Sequence, residues 1–82
     1  MMRRWNNKGS IHAKQRMAEL RLTKLNRCRS ELIDQWAAAT GRTARDWYAA
    51  AREHLTPAST PMDPAERTSE CIAWLKSAIE AA

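Results

Sequence analysis

Eighty-two residues of 9.4 kDa leave room for one small core, and 44% apolar with 28% charged residues is a foldable composition, not that of a disordered tail. Two glycines and three prolines argue against a turn-rich all-β fold, and two cysteines 43 positions apart make no disulfide framework. No apolar run approaches the ~20 residues needed to cross a bilayer, and no apolar stretch follows Arg3 and Arg4 as in a secretory signal, so a cytoplasmic helical protein is expected.

The formal net charge of +5 hides an asymmetry. Residues 1–30 carry nine basic side chains and one acid, Glu19, for a net of +8; residues 31–82 carry five basic and eight acidic side chains, for −3. A division of this kind points to a basic segment that meets a polyanion or an acidic protein surface.

In chain order, residues 1–10 are expected to form a flexible basic arm, followed by a single helical domain over residues 11–82. Ser10 suits an N-cap, and no glycine or proline follows until Gly41, which suits the left-handed position that ends a helix. Over residues 11–40, Ile11, Ala18, Leu22, Leu25, Leu32, Ile33 and Trp36 fall on one side at 100° per residue. The other flank collects Arg16, Lys24 and Arg27, bordered by Lys14 and Arg21. Thr43 and Asp46 mark a weak capping box opening a second helix over residues 43–55, whose stripe is Ala44, Trp47, Ala51 and Leu55. Prolines 57 and 61 bracket a linker. Asp63 as N-cap, Pro64 at the first helical position and Glu66 two residues later begin a third helix over 63–81, with Cys71, Ile72, Trp74, Leu75, Ala78 and Ile79 as its apolar side.

The expected fold is therefore all-α: a small three-helix unit with a long N-terminal helix and two shorter helices packed on its C-terminal half. At 1.5 Å per residue the first helix spans roughly 43 Å, the second roughly 18 Å and the third roughly 27 Å. The two shorter helices then cover the first only from about Leu22 onward. Residues 1–21, with a net charge of +5, are left with nothing of their own chain to pack on.

Candidate chemistry is sparse. His12 and Cys28 lie about 24 Å apart along one helix and make no nucleophile–base pair. His54 and Cys71 are explained more simply as a helix-terminal imidazole and a buried thiol. The four lack the local pairing of a zinc site, so no metal, no cofactor and no catalysis are expected. Trp5 beside Arg3 and Arg4 has the composition of a binding hot spot. Met17 and Leu20 stand among cations where phosphate binding alone supplies no reason for them. Arg29 projects from the apolar stripe and is expected to snorkel or to pair with Glu70 or Glu80.

Across residues 33–52, the spacing of Ala37, Gly41 and Trp47 resembles that of a DNA-binding helix–turn–helix, which implies Arg42, Arg45, Ala49 and Arg52 pointing outward from a recognition helix. Thr40 and Arg42 are polar where such motifs place apolar residues. A membrane-surface helix ranks lower, because the apolar side is aliphatic and shared with the core.

The expected function is non-enzymatic binding by a small regulatory or inhibitory protein, through Arg3, Arg4, Trp5, Lys8, Lys14, Arg16, Met17, Leu20, Arg21, Lys24 and Arg27. Arg42, Arg45 and Arg52 are secondary nucleic-acid contacts in this reading. The partner is nucleic acid or an acidic, nucleic-acid-handling protein. Alternatives are docking on a host protein complex without touching nucleic acid, as phage- or plasmid-type accessory proteins do, and a homodimer paired along helix 1.

Overall fold

Between Gly9 and Gly41 nothing in the sequence interrupts a helix. In the computed structural model, which describes residues 2–82 and their side chains from residue 14 onward, helix α1 runs over Met2–Thr40. It therefore begins well before the cap expected at Ser10. One interior glycine costs a helix about 1 kcal/mol relative to alanine, which is too little to break it. Residue 1 lies outside the described residues, and residues 2–10, expected as a flexible arm, are described only as backbone of α1.

Gly41 ends α1 as expected. Its φ of 70° is the left-handed conformation that glycine adopts without strain, and the Arg42 N–H donates back to the Ala37 carbonyl at 3.1 Å, the long bond of a Schellman stop. The Thr43 backbone N–H and hydroxyl then both donate to the Asp46 carboxylate, at 3.2 and 3.0 Å.

The second helix is not the single element expected over residues 43–55. It is a 3-10 turn at Ala44–Asp46, a short helix α2 at Trp47–Ala51, and a second 3-10 turn at Arg52–His54. A segment this short has few α-type bonds to hold its ends, and tightening them into 3-10 turns satisfies carbonyls that would otherwise be orphaned. Leu55 is already extended.

The linker is tied to the third helix by two of its side chains. Glu70 accepts from both the backbone N–H and the hydroxyl of Thr56, while the Arg67 guanidinium donates to the carbonyls of Pro57, Ala58 and Thr60. The Thr56 bonds, aided by the Arg67 charge, hold the Glu70 carboxyl below its ordinary range. Helix α3, Pro64–Ala81, starts where the sequence places it: the Asp63 carboxylate accepts from the Ala65 N–H at 3.2 Å, and Pro64 occupies the first turn.

Helix α3 packs along α1, and the two run in the same direction. Asn26 meets Thr68, whose hydroxyl lies 3.2 Å from the Asn26 side-chain oxygen, and farther along Trp36 meets Trp74 at a ring separation of 6.3 Å. The buried core is thin: Trp36, Ala51, Thr68, Cys71, Ile72 and Leu75. Trp47 and Trp74, both on expected apolar stripes, are half-buried. The described helices form three elements without a strand, and the long one outreaches the others.

Candidate interaction surface

The level at which α3 begins decides what α1 leaves uncovered. Arg21 lies at the edge of a shallow depression shared with Met62, Asp63, Ala65 and Glu66, so the start of α3 stands beside Arg21. From Lys14 through Arg21 every residue of α1 is exposed, and Leu22 is the first to be partly covered. This is the overhang expected from the helix lengths. Ala18 belongs to the apolar stripe by periodicity and is exposed because nothing reaches it.

On the side of α1 opposite its core stripe, exposed side chains form one band that continues past this stretch. Met17, Leu20, Lys24, Arg27 and Glu31 follow one another at three- and four-residue steps, so they line one face of α1 turned away from α3. Met17 is 70% and Leu20 55% exposed. Together with Leu25 they floor a hollow of about 380 Å³ rimmed by Arg21 and Lys24. Arg16 and Lys14 flank the band and are exposed. The face changes sign along its length, from cations up to Arg27 to carboxylates at Glu31 and Asp34. Such an arrangement attracts an anionic surface at one end and offers it apolar contact at the same place.

Of the predicted site residues, Lys14, Arg16, Met17, Leu20, Arg21, Lys24 and Arg27 are thus brought together. Arg3, Arg4, Trp5 and Lys8 lie outside the residues whose side chains are described. The secondary arginines do not join this face. Arg42 is exposed, and its guanidinium lies over the Trp36 ring, 5.9 Å from its centroid, where a cation at the end of α1 gains from an aromatic face. Arg45 is exposed in the 3-10 turn, and Arg52 opens onto a groove on another side of the molecule.

One expectation about a single side chain needs correction. Arg29 pairs with neither Glu70 nor Glu80. Glu70 is committed to Thr56, and Arg29 lies against the Cys71 thiol, where burial raises the thiol's pKa and the guanidinium offsets part of that rise. His54 ends the second 3-10 turn and Cys71 is buried, as expected of the two; the His54 ring stacks on Trp74, with rings 6.3 Å apart and 22° from parallel.

Thr68 was not anticipated as a core residue, although it stands three, four and seven positions before Cys71, Ile72 and Leu75, on their stripe. Its hydroxyl reaches the Pro64 carbonyl at 3.0 Å, which lets a polar side chain occupy a core position. Among the described residues, no three His, Cys, Asp or Glu side chains cluster as a metal site, and no helix is long and apolar enough to cross a membrane. The chain matches no family model, no curated protein and no solved structure.

Proposed function

We propose that the chain is a small non-enzymatic binding protein of regulatory or inhibitory type, working through its basic N-terminal segment and the free face of α1 on an acidic, nucleic-acid-handling protein. One observation carries this reading: residues 14–21 extend past the start of α3, each of them exposed, with Met17 and Leu20 seated among Lys14, Arg16, Arg21 and Lys24. Cations alone serve any polyanion. Apolar side chains in their midst add contact that a phosphate backbone does not use and that a protein groove does, in the manner of an amphipathic helix laid into a groove.

Direct binding of nucleic acid is the second reading, favoured by the run of exposed cations from Lys14 to Arg27. Each phosphate neutralised releases counterions, so such binding weakens steeply with salt. Fluorescence anisotropy with a labelled duplex and a labelled single strand, at low and raised salt, separates the two. If a protein is the partner, bare DNA binds poorly even at low salt. A pull-down from native lysate then loses its partner with Leu20→Ala as fully as with charge reversal at Arg16, Lys24 and Arg27. If nucleic acid is the partner, tight salt-sensitive binding is seen, the charge reversals abolish it and Leu20→Ala leaves it intact.

A further inference from the structure

A second concave surface lies away from the α1 overhang. It is a groove of about 1100 Å³ between α1, the α2 segment and the linker, closed at one side by α3. Ile33, Leu55 and Cys71 contribute its apolar lining, and Trp47 and Tyr48 supply two aromatic rings, 5.7 Å apart and set edge to face. Tyr48 is 52% exposed, a large ring left in water at the rim of a groove.

Three guanidiniums line the same groove, those of Arg29, Arg52 and Arg67, together with the carboxylates of Glu53 and Glu70. The two α3 charges are already committed, Arg67 to linker carbonyls and Glu70 to Thr56. The remaining balance favours an anion: Arg29 and Arg52 against the exposed Glu53.

Arg29 is the anomalous member. It lies on the core face of α1, between Leu25 and Ile33, is half-buried, and has a thiol beside it where an arginine of this kind takes a carboxylate or phosphate. No side-chain nitrogen or oxygen among the described residues is both buried and without a partner. The guanidinium donors that the thiol does not engage are therefore open to solvent, and Arg29 is among the residues that line the groove.

We propose that this groove binds a small aromatic anion, its carboxylate or phosphate head held by Arg29 and Arg52 and its ring lying against Trp47, Tyr48 and Leu55. Small-molecule sites combine an apolar lining with a few placed polar groups, and the groove, at about 1100 Å³, is slightly larger than their usual range of about 300–1,000 Å³. A guanidinium held on a helix presents its donors with little entropy left to lose. Because the groove is open along one side, the ligand stays partly in water, and an affinity in the micromolar to millimolar range is expected, on the order of 4–8 kcal/mol. The site is independent of the α1 overhang, and its failure leaves that reading untouched.

The test is a titration of the isotopically labelled full chain with phenyl phosphate, benzoate and inorganic phosphate, followed by amide and indole chemical shifts. Phenyl phosphate is expected to give saturable shifts at the Trp47 indole and around Arg29, Arg52 and Leu55. Benzoate doing the same assigns a carboxylate head as well, and binding of phenyl phosphate alone restricts the site to phosphate; either supports the proposal. Arg29→Gln is expected to weaken binding at least tenfold. Arg52→Gln, at an exposed position where folding is not at stake, is expected to weaken it severalfold. The proposal is overturned by any of three results: no saturation by about 10 mM, inorganic phosphate binding as well as phenyl phosphate, or shifts centred on residues 14–27.

Discussion

Leu75 and Leu20 are the same residue type on helices of one small protein, and the architecture assigns them opposite energetic roles. Leu75 is fully buried, the largest side chain with no exposed area, whereas Leu20 is 55% exposed on the overhang. Replacing a buried leucine with alanine costs the transfer free energy of the lost carbons plus the cavity left behind, about 2–5 kcal/mol. Stability of ~0.05–0.15 kcal/mol per residue gives a chain of this length about 4–12 kcal/mol in total. Leu75→Ala, at about 3 kcal/mol, thus removes between a quarter and most of it. At roughly 4–8 °C per kcal/mol for a domain of this size, the midpoint falls by about 12–24 °C. Leu20→Ala leaves no cavity and replaces one good helix former with a better one, so its effect stays within about 0.5 kcal/mol. Thermal and urea melts by circular dichroism measure both. A loss of 2 kcal/mol or more for Leu20→Ala refutes the reasoning, because residue 20 is then packed against something. If that loss grows with protein concentration, the covering surface is a second copy of the chain.

Three further outcomes follow from particular contacts. Glu70 has a folded-state pKa below its unfolded value, so its contribution is full above about pH 4.5 and is lost as pH falls through the lowered pKa. Melts between pH 7 and 3 are expected to show a steeper acid limb for the native chain than for Glu70→Gln. Gly41→Ala meets no atom within 4 Å of the new Cβ, but places alanine at φ 70°, so it is expected to cost about 1 kcal/mol through backbone strain alone. Cys71 is buried with a raised pKa while Cys28 is half-exposed on α1, so Cys28 is expected to react with Ellman's reagent well before Cys71. Equal rates contradict the packing of α3 on α1.

The features legible in the sequence were those with local causes. Asp63 and Pro64 mark the start of α3 because capping and a preset φ act within one turn, and Gly41 marks the end of α1 for the same reason. The overhang was legible because helix length follows from residue count. What escaped depends on distant partners. The bond from Thr56 to Glu70 joins residues 14 apart in sequence, and no periodicity announces it. Arg29 sits at a core position that pattern alone assigns to an apolar residue, and its neighbours become visible only when α2 and the linker fold across it. The division of the second helix into 3-10 and α turns reflects a balance of a few tenths of a kcal/mol per residue, below what propensity resolves. Ser10 misled in the other direction, since a residue suited to an N-cap does not start a helix by itself, and the lone glycine before it carries too small a penalty to interrupt one.

Amide hydrogen exchange on the full chain, at a concentration where sedimentation shows a monomer, probes the uncovered reach of α1 most directly. Protection is expected to rise at Leu22, remain high through Trp36 and along α3, and be low from Lys14 to Arg21. Protection at residues 14–21 equal to that at residues 25–36 contradicts a free basic face and removes the basis for assigning binding to it.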